Sequence, residues 1–253
     1  MYYIGIDIGS TASKVSVFNQ DDLVLNMVMP TGWNSLDTSM KIKKSLDEQS
    51  IDVDKSVVVA TGYGRVSVPY AKKTVTEITC HGKGAYYLAG EDITVMDIGG
   101  QDTKIITVKD GNVTNFLMND KCAAGTGRFI ELMSNTLGVS IEEMGEIALY
   151  GKNIKITSMC TVFAESEVIN LIGSGTKRED IARGVFNSII GRIKTLLNKN
   201  GMSGALYLTG GLCELKPFVQ ILSESIGQEI HTNPLARYAG SIGGALLAKK
   251  LVI

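Results

Sequence analysis

The chain has 253 residues, 44% of them hydrophobic and 20% charged, with a formal net charge of -1. A chain of this length buries about 70–75% of its unfolded surface and needs no disulfide or metal staple, which predicts one or two compact domains. The near-neutral balance and the absence of a Lys/Arg block exclude nucleic acid and anionic membrane as main partners.

The chain opens on "MYYIGIDIGS", which lacks a basic n-region and a cleavage site, and no apolar stretch reaches the ~18 residues of a membrane span, so a cytoplasmic protein is expected. Next comes an apolar strand, a tight turn and an alternating strand over 4–18 ("IGIDIGSTASKVSVF"), then a third strand over 22–30, a helix over 34–49, a strand over 55–62 and a helix over 80–89. The segment 94–108 ("TVMDIGGQDTKIITV") repeats the first hairpin at a constant offset of 90: Asp7 matches Asp97, Gly9 matches Gly99, and Lys14 matches Lys104. A third strand follows again at 111–119, then helices at 125–137, 161–173 and 179–199, a strand at 204–211, and helices at 214–226 and 236–250. Three strands, helix, strand, helix, twice over, predicts an α/β protein of two halves, each a mixed sheet flanked by helices. The predicted domains are 1–92 with 233–253, and 93–232, with the ligand site in a cleft between them.

A strand that ends in Asp and turns through Gly-Ser-Thr or Gly-Gly-Gln gathers backbone N–H groups into a concavity suited to phosphate oxygens. The candidates are Asp7, Gly9, Ser10, Thr11, Ser13 and Lys14 in one copy, and Asp97, Gly99, Gly100, Gln101 and Lys104 in the other. Asp7 and Asp97 are placed to hold Mg²⁺ through its waters. A single Asp-x-Gly turn is equally a capped hairpin, but two copies at a fixed offset favour phosphate. Lys14 and Lys104 read either as point charges toward phosphate or as solvated strand residues. No GxxxxGK[ST] and no GxGxxG after a strand occurs, which removes the P-loop and Rossmann classes.

With "LTGGL" (208–212), the two hairpins resemble the phosphate and adenosine motifs of the actin, hexokinase and heat-shock chaperone ATPase superfamily. The resemblance implies two ribonuclease-H-like (actin-like ATPase) domains with a nucleotide cleft between them. Thr209, Gly210 and Gly211 would then lie beside adenosine, and Gln101 and Asp102 would orient the attacking water, with Asp102 alternatively capping its turn.

The four cysteines, Cys80, Cys122, Cys160 and Cys213, are scattered and form no CxxC, so neither a zinc knuckle nor a dithiol redox motif is present. The default for each is a lone buried thiol. Cys122 ("NDKCAAGTGRF", 119–129) and Cys160 ("CTVFAESE", 160–167) stand before predicted amphipathic helices, positions that favour an anionic object. A 4Fe–4S cluster is one, and two cysteines from each chain of a twofold dimer would supply its four thiolates. Cys80 and Cys213 also flank helices, so physics alone leaves the ligand set open.

"GIDIGSTASK", "ATGYGR", "DIGGQDTK", "NDKCAAGTGRF", "CTVFAESE" and "TGG", in this order and spacing, are similar to the activator ATPases of 2-hydroxyacyl-CoA dehydratases, relatives of the ATP-binding subunits of benzoyl-CoA reductase. The likeness spans essentially the whole chain. It implies a homodimer bridged by one 4Fe–4S cluster on Cys122 and Cys160 of each subunit, with ATP/ADP and Mg²⁺ as cofactors. It also implies oxygen-sensitive, anaerobic one-electron delivery from a ferredoxin or flavodoxin donor to a separate iron–sulfur dehydratase or reductase component, and "SMCTVFAESE" also looks like activators of double-cubane-cluster reductases.

Gly125, Thr126, Gly127 and Arg128 are expected near nucleotide, with Arg128 alternatively a solvated first-turn residue. Glu165 and Glu167 read as complements of a helix dipole, Glu165 alternatively as a ribose or metal contact. His81 reads as a packing or capping residue at a helix start, alternatively as half of a metal pair with Cys80, Arg65 as a dimer or partner contact, and Trp33 with the 10 Met as packing. Two competing functions remain at this stage: a sugar kinase of the N-acetylglucosamine type, and a redox-inactive nucleotide-switched scaffold.

Overall fold

In the computed structural model, residues 1–119, 123–157 and 160–252 are described. Cys122 lies outside them. The chain begins with β1 (Tyr2–Ile8), β2 (Ala12–Asn19), β3 (Asp22–Pro30), α1 (Ser35–Glu48), β4 (Val57–Thr61), β5 (Lys73–Thr74) and α2 (Glu77–Ala89). These strands form a sheet of order β3-β2-β1-β4-β5. Every residue of β4, Val-Val-Val-Ala-Thr, is buried, as expected of a strand covered on both faces. Antiparallel pairing sets Asp7 of β1 opposite Lys14 of β2, and parallel pairing sets it beside Thr61 of β4.

The repeat continues with β6 (Ile93–Ile98), β7 (Thr103–Lys109), β8 (Asn112–Asn119), α3 (Gly127–Leu137), α4 (Ile141–Ala148), α5 (Thr161–Gly173), α6 (Arg178–Asn200), β9 (Ala205–Gly210), α7 (Lys216–Ile226), β10 (Ile230–His231) and α8 (Ala239–Lys249). The second sheet has order β10-β9-β6-β7-β8. Gln20 and Asp110, also 90 apart, both take left-handed φ values, 57° and 49°, so the repeat extends into the next turn. The fold is thus α/β with two sheets, as the element order predicts. α4 was not expected from apolar periodicity. Its signal is the Ser140-Ile-Glu-Glu143 start, where the Ser140 hydroxyl accepts from the Glu143 N–H at 3.0 Å.

Contacts divide the chain into two compact units: Met1–Ile93, Ile106–Asn115 and Leu235–Ile253 in the first, Thr94–Ile105 and Phe116–Pro234 in the second. The first unit has a core of Ile4, Ile6, Ile8, Val15, Val17, Ile42 and Leu46 between its sheet and α1. Its C-terminal α8 sits on β1 and α2 at backbone distance: a Cβ at Gly5 would overlap the Ser241 carbonyl, and one at Gly243 the Cys80 carbonyl. Trp33 does not pack; it is 99% exposed, because it projects from the short turn between β3 and α1. Among the described residues no helix is long and apolar enough to cross a membrane.

Candidate functional site

In the first unit the turn after β1 is held from behind by Thr31 at the exit of β3. The Thr31 N–H donates to the Thr11 carbonyl at 3.0 Å. Its hydroxyl donates to the Gly9 carbonyl at 2.8 Å and lies 2.9 Å from the Ser13 hydroxyl. Gly9, Ser10 and Thr11 remain accessible while Ser13 is buried, so the turn offers its backbone outward.

Asp7 is buried at the end of β1. Its Oδ2 lies 3.6 Å from Lys14 Nζ and 3.7 Å from His81 Nε2, which is also 3.9 Å from Glu77 Oε1. Glycines let backbone close around this carboxylate. A Cβ at Gly62, whose φ is +84°, would stand 2.5 Å from Asp7 Oδ1, and one at Gly240 would stand 2.8 Å from Asp7 Oδ2 and 2.6 Å from His81 Nε2. His81 therefore borders the Asp7 carboxylate, a neighbour 74 positions away that the packing or capping reading of the sequence does not include. Cys80 beside it faces the core, and burial pushes its thiol up to about 12.

The second unit builds the matching turn more tightly. Lys104 on β7 is only 1% exposed, so it is not a solvated strand residue. Its ammonium lies 2.6 Å from Asp102 Oδ1 and 3.3 Å from Asp97 Oδ2. Asp97 Oδ1 accepts from the Thr209 hydroxyl at 2.8 Å, and the Gly99 N–H donates to the Asp102 carbonyl at 2.9 Å. Asp102 Oδ2 is buried without a hydrogen-bond partner among the described residues, an unmet acceptor that calls for a donor such as water.

α3 starts on this hairpin. The N–H groups of Gly127 and Arg128 donate to the Gly99 and Gly100 carbonyls at 2.8 and 3.0 Å, satisfying two of the donors a helix start leaves over. The Thr103 hydroxyl donates to the Gly125 carbonyl at 2.6 Å, and Thr126, fully buried, turns its hydroxyl onto Ala123. Gly125 has φ +110°, and a Cβ there would press within 2.7 Å of Arg192 Cδ. Gly210, at φ +85°, brings the Thr-Gly-Gly turn so close to β6 that a Cβ would overlap the Ile98 carbonyl. Asp97, Gly99, Gly100, Asp102, Lys104, Gly125 to Gly127 and Thr209 to Gly210 are thus assembled in one place, with Gln101 exposed at the hairpin tip. Arg128 turns away: its exposed guanidinium pairs with Glu131 at 2.8 Å, the solvated first-turn arrangement.

Of the three described cysteines, Cys80 and Cys213 are buried and Cys160 is exposed. Cys160 occupies the N-cap of α5 in extended conformation (φ -97°, ψ 136°) without using its side chain as a cap. That thiol is available to an external ligand, and its setting fits a cluster-binding role for that residue; Cys122 lies outside the described residues. Glu165 Oε1 lies 3.5 Å from the Thr136 hydroxyl of α3, whose proton goes to the Leu132 carbonyl at 2.9 Å, so Glu165 borders a neighbouring helix where sequence suggests dipole compensation.

The model of the BadF/BadG/BcrA/BcrD ATPase family matches residues 4–248. The chain belongs to this family. The ATPase is 41% identical over 254 residues to the (R)-2-hydroxyglutaryl-CoA dehydratase activating ATPase of Acidaminococcus fermentans, covering 99% of this chain and 98% of the relative. Component A of that dehydratase, as a crystal structure, superposes with a TM-score of 0.93 at 40% identity, covering both chains completely. The activator of the 2-hydroxyisocaproyl-CoA dehydratase from Clostridium difficile with bound ADPNP gives 0.91 at 35% identity, covering 100% of this chain and 97% of that one. A glucokinase of the ROK family from Streptomyces griseus shares the fold, with a TM-score of 0.63, but only 13% identity, so the sugar-kinase reading gains nothing beyond architecture.

Proposed function

We propose that this ATPase is a one-electron donor that couples ATP hydrolysis to reduction of a separate 2-hydroxyacyl-CoA dehydratase or double-cubane-cluster reductase. The observation that carries the reading is the end-to-end similarity to dehydratase activators, at 41% identity over 99% of the chain. The active form is a homodimer, located in the cytoplasm of an anaerobe and supplied by a ferredoxin or flavodoxin. Cys122 and Cys160 of each subunit would hold one 4Fe–4S cluster, which would supply the electron carrier. The exposure of Cys160, against the burial of Cys80 and Cys213, supports that assignment.

In each hairpin the turn backbone engages phosphate: Gly9, Ser10 and Thr11 with Ser13 and Lys14 behind them, and Gly100 and Gln101 with Lys104 beneath, while Gly99, whose N–H is spent on the Asp102 carbonyl, shapes the turn. Asp7 would hold Mg²⁺ through its waters; its contacts with Lys14 and His81, 3.6 and 3.7 Å, are looser than those of Asp97. Asp97 contributes through Lys104 and Thr209 as well as through metal-bound water. Gln101 positions the attacking water, and the unmet Asp102 Oδ2 accepts a hydrogen bond from it. Gly125, Thr126, Gly127 and the backbone of Arg128 form the wall beside the phosphates, and Gly210 and Gly211 the wall beside adenosine.

Coupling runs through α3. Its first N–H groups rest on Gly99 and Gly100, and its last turn meets α5 through Thr136 and Glu165. A nucleotide-dependent shift of the hairpin therefore displaces the helix that carries Cys160. Anaerobic purification with iron and sulfide analysis tests the reading: about one 4Fe–4S cluster per two chains, lost in Cys122→Ser and Cys160→Ser, is expected. A colourless, iron-free protein that retains nucleotide-dependent association alone would instead establish the scaffold reading.

A further inference from the structure

One carboxylate of α5 reaches back to the residue three positions ahead of Cys160. Glu167, two turns into α5, accepts the Thr157 N–H at 3.0 Å on each of its oxygens, and the Thr157 hydroxyl at 3.0 Å on Oε1. Thr157 stands three residues before Cys160, and α5 begins at Thr161. Thr157 ahead of the thiol and Thr161 behind it are therefore both tied to α5, the first through the Glu167 carboxylate and the second as the first residue of the helix. The anchoring uses charge-assisted bonds, the stronger class. α5 is itself seated by its buried Ala164 and Val168, so Glu167 is fixed relative to the body of the second unit.

We propose that Glu167 is a positioning residue for Cys160: it ties Thr157 to α5 and so sets how tightly the subunit grips its half of the cluster. The inference rests on Cys160 being a cluster ligand, as in the function proposed above. Groups bonded directly to metal ligands commonly cost 10–100-fold in metal affinity or activity when removed; Glu167 acts one step further out, through Thr157, so the low end of that range is expected. Nothing in this role requires Glu167 to touch the metal. It acts on the freedom of the Cys160 backbone, which an open loop would have to lose again on every rebinding of the thiolate.

The test is the rate of iron release from the anaerobic holoprotein to bathophenanthroline. Glu167→Gln, which keeps shape but loses one strong acceptor, should release iron about tenfold faster than wild type, and Glu167→Ala faster still. Thr157→Val, which keeps the N–H bonds and loses the hydroxyl, should fall between wild type and Glu167→Gln. Ser166→Ala, next to the clamp and bonded only to its own helix, should match wild type. The reduced cluster of Glu167→Gln should also show a broadened electron paramagnetic resonance line, since a looser loop admits several ligand geometries. Release rates within twofold of wild type in both Glu167 variants would overturn the proposal. Hydrogen exchange on iron-free protein separates its failure from that of the cluster reading. The Thr157 amide should be protected in wild type and unprotected in Glu167→Ala. Exchange at the unstructured rate in wild type would refute the clamp whatever the iron content.

Discussion

Replacing Lys104 by Met isolates the electrostatic centre of the second hairpin. The Lys104 side chain is 1% exposed, and its ammonium faces Asp102 at 2.6 Å and Asp97 at 3.3 Å. Methionine keeps most of the volume, so packing changes little. The ammonium goes, and two carboxylates that are themselves only 1% and 3% exposed lose the cation between them. Removing one partner of a buried ion pair costs about 3–5 kcal/mol, because the surviving charge stays desolvated. For a chain of this size each kcal/mol shifts the melting temperature by about 2–4 °C, so a fall of about 6–20 °C is expected in differential scanning calorimetry. Converting Asp102 to Asn in the same chain removes one uncompensated charge, and the double variant should recover at least about 1 kcal/mol relative to additivity. A fall below about 2 °C for Lys104→Met, or strict additivity in the double variant, would refute the view that this lysine neutralises a buried pair.

Gly243→Ala should destabilise by about 3 kcal/mol or more, read by urea denaturation, because its methyl would overlap the Cys80 carbonyl and force α8 off α2. Alkylation of native, cluster-free protein at pH 8 followed by mass spectrometry should label Cys160, while Cys80 and Cys213 react only after unfolding. Burial raises the Cys80 thiol from 9.0 to about 12, so below pH 9 it is protonated whether the chain is folded or unfolded and costs nothing. As pH rises from 9 toward 12 only the unfolded chain gains the thiolate, so stability should fall by up to about 1.4 kcal/mol per pH unit. That increment of slope should be absent in Cys80→Ala. Gln101→Leu should lower ATP turnover by about 100-fold, measured as phosphate release, through loss of water orientation; an unchanged rate would remove Gln101 from the hydrolytic step.

The repeat was the legible part of this sequence. Asp7 with Lys14 and Asp97 with Lys104, at a constant offset, announced two hairpins, and in the first the pair faces across adjacent strands in register. What sequence could not settle was whether each lysine faces water or core, since alternation along a strand fixes the face but not what covers it. Lys104 proved the extreme case, a charge enclosed by two carboxylates. α4 escaped because its signature is a cap and not a long apolar stripe. The glycine contacts of α8, and the approach of His81 and Gly240 to Asp7, depend on residues more than 70 positions apart, beyond any local pattern. Trp33 shows the converse error: a large aromatic was assigned to the interior by composition, whereas a turn of Thr-Gly-Trp-Asn leaves it nothing to pack against.

The central claim is that nucleotide state and electron delivery are coupled within this chain. The most direct measurement is the midpoint potential of the cluster in the anaerobic protein, titrated with dithionite and followed by electron paramagnetic resonance, first with ADP and then with the ATP analogue ADPNP. A different potential is expected in the two states, and a smaller difference in Thr136→Ala, which removes the side-chain approach of α3 to Glu165 of α5. Identical potentials with ADP and ADPNP would contradict it.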